Sequence, residues 1–298
     1  MVNTNKAESL FWKKKEYTSF ILSILVFFIH SFFAQDSGDN SLIAIINHKT
    51  SYFFSRSITQ FAVPMFFMLS GITFFKGYSN KKYLHKIKSR LFTLIIPYLL
   101  WNTVWMFWEI FCSYSFMEKF SQADSTFPLT ATSILKSIFF YGCNRPFWFI
   151  FDLIVFCFAA PLIFTFIRNK YVGIISVLCL SIMSYFGLHL PSFLFYYPTS
   201  IIFFMLGAVI GHHYFDYICQ KSSRVTQIIS ITLLLSYVIA KNVIPHNLFI
   251  ENYLMQVIVF TICCFALWNT LDIFIEKLKP RPIYRRSFAI YAMHLNTA

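Results

Sequence analysis

Residues 57–75 read SITQFAVPMFFMLSGITFF, a run of 19 residues without a charged side chain between Arg56 and Lys76. As a helix rising 1.5 Å per residue, this run is about as long as the ~30 Å hydrocarbon core of a bilayer is thick. Similar uncharged runs of 19, 18 and 20 residues lie at 17–35, 91–108 and 252–271. Buried helices of soluble proteins are rarely so long or so numerous. The sequence therefore predicts an all-α, polytopic transmembrane helix bundle.

The composition supports this class, because 57% of the residues are hydrophobic and only 12% are charged, against roughly 25% charged residues in soluble domains. Eight complete spans are predicted, at about 17–34, 57–75, 91–112, 147–167, 171–187, 199–219, 226–240 and 253–274. A ninth span opens at Ser287 and has only 12 residues, 287–298. A helix of that length rises about 18 Å, too little to cross the core. We expect one membrane-embedded domain over 1–298, incomplete at its C-terminus, with about ten spans in the full-length protein.

The net charge is +13, and the positions of the basic residues follow the predicted topology. If the first span starts inside, 19 of the 25 Lys and Arg residues lie on the cytoplasmic side. The other six lie outside: Lys49, Arg56, Lys119, Lys136, Arg145 and Lys241. This asymmetry is that of the positive-inside rule. It predicts a multi-pass inner (plasma) membrane protein with a cytoplasmic N-terminus, whose basic loops meet membrane lipids rather than nucleic acid.

Five segments suggest a family. In chain order they are SILVFFIH at 23–30, AVPMFFMLSG at 62–71 with RLFTLIIPY at 90–98, FWFIFDLI at 147–154, FFMLGAVIG at 203–211 and SFAIYAMH at 287–294. Each is a weak signal alone, since apolar runs with Gly and Pro are common in membrane proteins. Their order and spacing over almost the whole chain resemble the acyltransferase-3 family of bacterial integral-membrane O-acyltransferases.

The resemblance implies an activity. Such enzymes transfer an acyl group, usually acetyl, from cytoplasmic acetyl-CoA to a hydroxyl of a carbohydrate or glycolipid acceptor of the cell envelope or of an exported polysaccharide. They belong to the acyltransferases that transfer groups other than amino-acyl groups. Many members carry Arg or Lys eleven residues before the first-span histidine, where this chain has Ser19. Another departure is Phe151, at a position that is often basic in related proteins.

Two ionisable residues within predicted spans are catalytic candidates, because such residues are costly in a membrane and commonly functional. His30 lies in the outer half of the first span, and the resemblance implies a catalytic role for it. It could act as the general base for an acceptor hydroxyl or carry the acyl group transiently. Asp152 lies inside the fourth span, seven residues after Arg145. A structural Arg145–Asp152 ion pair explains both residues equally well.

Three cations just before the third span, Lys86, Lys88 and Arg90, are candidates for binding the phosphates of acetyl-CoA. The alternative is that they only set the topology. His294 is a further candidate near the donor side, whereas Gly71, Gly207 and Gly211 are expected to permit close helix packing. The seven cysteines follow no zinc-site spacing, so no metal site is predicted.

Two other functions compete with acyl transfer. In a transporter or flippase for a lipid-linked or small polar substrate, His30 and Asp152 would relay protons or contact substrate. That function predicts an internal repeat with broken helices in matching positions, and no repeat is evident in the sequence. A membrane sensor would carry a soluble output domain, and none is evident.

Overall fold

The structure is a computed structural model that describes residues 2–30, 41–114, 127–188, 199–243, 253–279, 281–286 and 290–292. These residues form helices and turns, with no strand among them, so the chain is all-α. The helices are α1 Val2–Ile29, α2 Leu42–Tyr52, α3 Ala62–Phe75, α4 Tyr83–Arg90, α5 Ile96–Ser113, α6 Ala131–Phe139, α7 Trp148–Phe158, α8 Ala160–Ile167, α9 Lys170–Tyr185, α10 Ser200–His213, α11 Phe215–Cys219, α12 Arg224–Val243 and α13 Tyr253–Thr270. His294 lies outside the described residues.

Helices α3 and α10 form the centre of the bundle and touch backbone to backbone. A Cβ atom on Gly207 would lie 2.0 Å from the carbonyl oxygen of Met68, and one on Gly71 would lie 2.2 Å from that of Phe204. Gly211 makes the same kind of approach to Ile72. Such contacts are open only to glycine, and they increase van der Waals packing between helices in lipid. The predicted packing role of these three glycines is confirmed.

Enlarging Gly207 should therefore loosen the centre of the bundle. We expect Gly207→Leu to lower the free energy of unfolding by about 1–3 kcal/mol or more, because the α3 and α10 backbones must separate. Thermal unfolding of the purified protein in detergent measures the effect. Ser236→Leu adds a large side chain on an exposed face of α12 and serves as the control. Equal melting temperatures for the two variants would contradict the close-packing role.

The remaining helices surround this pair and turn apolar side chains outward. Helices α1, α9 and α13 contact α3 or α10 directly, and α12 packs on α13. Large apolar side chains on α5, α9 and α12 are exposed, among them Leu100, Phe107, Ile175, Ile228 and Ile239. An apolar surface of this extent is unfavourable in water and suits lipid. The exposed belt therefore agrees with a membrane protein.

Four described helical stretches are long and apolar enough to cross a membrane: Leu42–Phe75, Asn80–Ser113, Arg224–Val243 and Tyr253–Ile273. Helices α7 and α8 would make a fifth span, bent by 68° at Ala159. Pro161, in the first turn of α8, has no backbone N–H for a helical hydrogen bond, which accounts for the bend. Helices α9 and α10 are apolar but shorter, and α1 begins with charged residues. The predicted number of eight spans stays a prediction.

One end of the bundle carries most of the basic residues, and ion pairs link the segments that lie there. We call it the basic end. The three ion pairs among the described residues lie there: Lys14–Asp272 at 2.7 Å, Lys221–Glu276 at 3.0 Å, and Lys76–Glu8. They connect the first half of α1, the loop after α3, the α11–α12 loop and the segment after α13. The opposite end, where α1 finishes at His30, is called the His30 end.

Candidate functional site

A cavity of about 410 Å³ opens at the His30 end. Its polar lining residues are His30, Arg56, Gln60, Arg145, Thr199, Ser200 and Gln256. His30 is half-buried in the turn that ends α1, where its backbone N–H donates to the carbonyl of Phe27 at 3.2 Å. The cavity is thus large enough for a small ligand and holds the ionisable residue that the sequence singled out.

An interrupted helix supplies part of this lining. Between α2 and α3 the chain passes through a π-helical segment, Phe53–Ser57, and an irregular turn at 58–61 that includes Gln60. Irregular backbone at membrane depth is tolerated where it is buried in protein or lines a cavity. Residues 57–75, predicted as one regular span, are therefore broken where they meet the cavity.

Asp152 lies behind this cavity rather than in its lining. Its side chain is fully buried, and its Oδ2 atom accepts a hydrogen bond from the Ser200 hydroxyl at 2.9 Å. Ser200 begins α10 and lines the cavity. The alternative Arg145–Asp152 ion pair is not among the three ion pairs of the described residues, and Arg145 instead lines the cavity. A catalytic role of Asp152 stays a prediction, and its contact to the site runs through Ser200.

A second cavity of about 160 Å³ lies toward the basic end. Its polar lining residues are Lys15, Ser19, Ser23, Ser70, Thr73 and Arg90. Burial and the neighbouring Arg90 guanidinium lower the pKa of Lys15 below its usual value. Two like charges beside several hydroxyl groups form an arrangement that an anion would stabilise. We call this the Arg90 cavity.

The three cations predicted to bind the donor are in different positions. Arg90 lines the Arg90 cavity, with its Nη2 atom 3.5 Å from Thr73 Oγ1 and its guanidinium over the Phe74 ring. Lys86 donates to the carbonyls of Phe74 and Lys76, at 2.8 and 2.9 Å, and so closes the C-terminal end of α3. Lys88 is exposed on α4. All three roles in donor binding stay predictions, and the geometry favours Arg90.

Lys15 is the residue that sequence analysis missed as a site candidate. It reads as one of three adjacent topology-setting lysines, yet it lines the Arg90 cavity together with Ser19. Ser19 is the position where related proteins carry a cation, and Lys15 precedes it by one helical turn on the same face. The four-residue spacing between Lys15 and Ser19 could therefore have identified Lys15 as a site candidate from the sequence.

Phe149 and Tyr291 contribute to the walls of both cavities. Their ring centroids are 5.7 Å apart and the rings meet edge to face. The Tyr291 hydroxyl donates to the carbonyl of Pro146, in the turn that also carries Arg145. The two cavities therefore meet from opposite ends of the bundle at one pair of aromatic rings.

No curated protein and no solved structure shows significant similarity to this chain. A family model does: the acyltransferase-3 model, described as an acyltransferase domain, matches residues 20–297. The match includes His30, Arg90 and Asp152 and covers nearly the whole chain. This protein therefore belongs to the acyltransferase-3 family and is an acyltransferase.

Proposed function

We propose that this acyltransferase moves an acetyl group from acetyl-CoA, bound at the basic end, to a hydroxyl of a cell-envelope or exported carbohydrate at the His30 end. The observation that carries the proposal is the pair of cavities that meet at Phe149 and Tyr291. The Arg90 cavity has two cations and several hydroxyl groups, and the His30 cavity holds the histidine. A donor and an acceptor that enter from opposite sides of a membrane need such an arrangement.

The orientation follows from charge. The basic end carries most of the Lys and Arg residues, so the positive-inside rule assigns it to the cytoplasm, together with the N-terminus. Acetyl-CoA is a cytoplasmic, polyanionic molecule, and its phosphates suit the cations Lys15 and Arg90 and the cavity hydroxyls. In this proposal the protein lies in the inner (plasma) membrane, and the acceptor approaches from outside.

The proposed chemistry needs a base, because a neutral alcohol is a poor nucleophile. Acetyl-CoA supplies an activated thioester. An imidazole nitrogen of His30 takes the proton of the acceptor hydroxyl as that oxygen attacks the thioester carbonyl carbon. The ester C–O bond forms, the thioester C–S bond breaks, and coenzyme A leaves as a thiolate that takes up the proton released by His30. In this proposal the acceptor also contacts Ser200, which lines the cavity and donates its hydroxyl proton to Asp152. His30 is thus the catalytic candidate, and Asp152 a positioning residue that orients the Ser200 hydroxyl.

The first test is labelled acetyl transfer from acetyl-CoA to surface glycans of cells that express the protein. A transporter or flippase would leave these glycans unlabelled while still moving a substrate across the membrane.

The donor site has its own prediction. We expect Arg90→Ala and Lys15→Ala each to raise the KM for acetyl-CoA by about 10- to 150-fold, because a hydrogen bond to a charged group contributes about 1.5–3 kcal/mol. The KM for the acceptor should change less. Steady-state kinetics in proteoliposomes gives both values, with Lys170→Ala, an exposed cation at the start of α9, as the control. An unchanged KM for acetyl-CoA in both variants would leave these cations only a topological role.

A further inference from the structure

The described lining of the His30 cavity is positively charged. It includes the guanidinium groups of Arg56 and Arg145, and no carboxylate lies among the lining residues in the described part of the chain. The carboxylate of Asp152 lies behind Ser200 instead. A neutral sugar hydroxyl needs a base but no cations. The two guanidinium groups of this lining would attract a negatively charged acceptor, a property that acylation of a hydroxyl does not itself require.

A small side pocket of about 50 Å³ adjoins the His30 cavity and shares Gln60, Gln256 and Phe260 with it. Lys241 and Tyr237, from α12, complete its polar lining. A water molecule occupies about 30 Å³ of liquid, so this pocket has room for one group about the size of a carboxylate. The side pocket is thus an extension of the His30 cavity with two further hydrogen-bond donors.

These two donors lack partners where the chain is described. Lys241 is only 8% exposed, and its ammonium group is in none of the ion pairs of the described residues. The buried hydroxyl of Tyr237 also has no hydrogen-bond partner there. An ammonium group that is largely withdrawn from water is stabilised by a counter-charge. Arg56 is a second cation near Lys241, so an anion in the side pocket would be attracted to this region.

We propose that the acceptor carries an anionic group, a carboxylate or a phosphate ester, which binds Lys241 and Tyr237 in the side pocket while the hydroxyl to be acylated lies at His30. This inference rests on the proposed function and specifies its acceptor. Arg145, at the cavity lining, adds long-range attraction for the same charge. Two kinds of acceptor could supply this anionic group. An acidic sugar carries a carboxylate, and a lipid-linked glycan carries a phosphate ester.

The test compares three acceptor probes in proteoliposomes with labelled acetyl-CoA. They are a neutral maltooligosaccharide, an oligogalacturonate of equal length, and a neutral oligosaccharide linked to polyprenyl phosphate. We expect at least one anionic probe to exceed the neutral one in kcat/KM by about 10-fold or more. In Lys241→Met the ratio of anionic to neutral kcat/KM should fall about 10- to 150-fold. Lys136→Met, an exposed cation on α6 outside both pockets, should keep the ratio.

Each outcome decides one question. Preference for the oligogalacturonate assigns the carboxylate, and preference for the lipid-linked probe assigns the phosphate. Equal use of all probes, or a ratio unchanged in Lys241→Met, overturns the inference while leaving acetyl transfer intact. If no probe is acetylated, the proposed function fails, and the anion site is then tested by measuring direct binding of the three probes. Tighter binding of an anionic probe that is lost in Lys241→Met supports the site, and equal binding of all three probes overturns it. The melting temperature of each variant shows that it is folded.

Discussion

Replacing His30 with alanine is expected to slow acetyl transfer by about 10²–10⁴-fold, the range typical for the loss of a general base. The physical reason lies in the surroundings of His30. It ends α1 and lines a cavity whose other polar side chains are guanidinium groups, amides and hydroxyl groups. None of these is a good base near neutral pH, so no described neighbour in the lining can replace the imidazole.

The measurement is kcat for labelled acetyl transfer in proteoliposomes, at saturating acetyl-CoA. His48→Ala, which removes an exposed histidine from α2, is the matched control and should retain full activity. Membrane insertion and melting temperature should be unchanged in both variants, because His30 is only partly buried at a helix end. A His30→Ala enzyme with near wild-type kcat would exclude the base and the acyl-carrier roles together.

The second large effect concerns stability. Asp272→Ala is expected to lower the free energy of unfolding by about 3–5 kcal/mol, because it leaves the buried ammonium of Lys14 without its counter-charge. Lys14 and Asp272 are 2% and 1% exposed, and their charged atoms are 2.7 Å apart. Asp272 also accepts hydrogen bonds from the backbone N–H and the hydroxyl of Ser222, at 2.9 and 2.7 Å. The Lys14 ammonium lies 4.3 Å from the centre of the Trp268 ring.

The exposed pair Lys221–Glu276 provides the matched control. Its side chains are 40% and 65% exposed, and exposed pairs contribute about 0–1 kcal/mol, so Glu276→Ala should barely change the melting temperature. The double variant Lys14→Met, Asp272→Leu should be much more stable than Asp272→Ala, since it removes both charges. A single variant as stable as the wild type would mean that water reaches Lys14 and that the pair is not buried.

This ion pair also bears on the Arg90 cavity. Lys14 immediately precedes Lys15, which lines the Arg90 cavity. The pair joins the middle of α1 to the turn after α13. Lys14 is buried in this contact, whereas the neighbouring Lys15 lines the Arg90 cavity.

Several structural features could be predicted from the sequence because they depend on local patterns. The all-α class is one of them, because only helices and closed barrels satisfy the backbone in lipid. Close packing at Gly71, Gly207 and Gly211 was predictable because only small residues allow helices to touch in lipid. Helix α2 and the break at 58–61 were not, since the apolar run 57–75 looks continuous and its interruption depends on the cavity beside it.

The sequence by itself determined the helical class, the basic and apolar segments and their order, and the membership of the acyltransferase-3 family, because these follow from composition and from short motifs along the chain. Only the tertiary structure decided which side chains meet. It brings Lys14 to Asp272, 258 positions apart, and Lys15 to Arg90, and it sets Asp152 behind Ser200. In a soluble protein the apolar stripe of a helix shows which face is buried. In lipid both faces are apolar, so the rotation of each helix depends on its packing against neighbours rather than on its hydrophobic pattern.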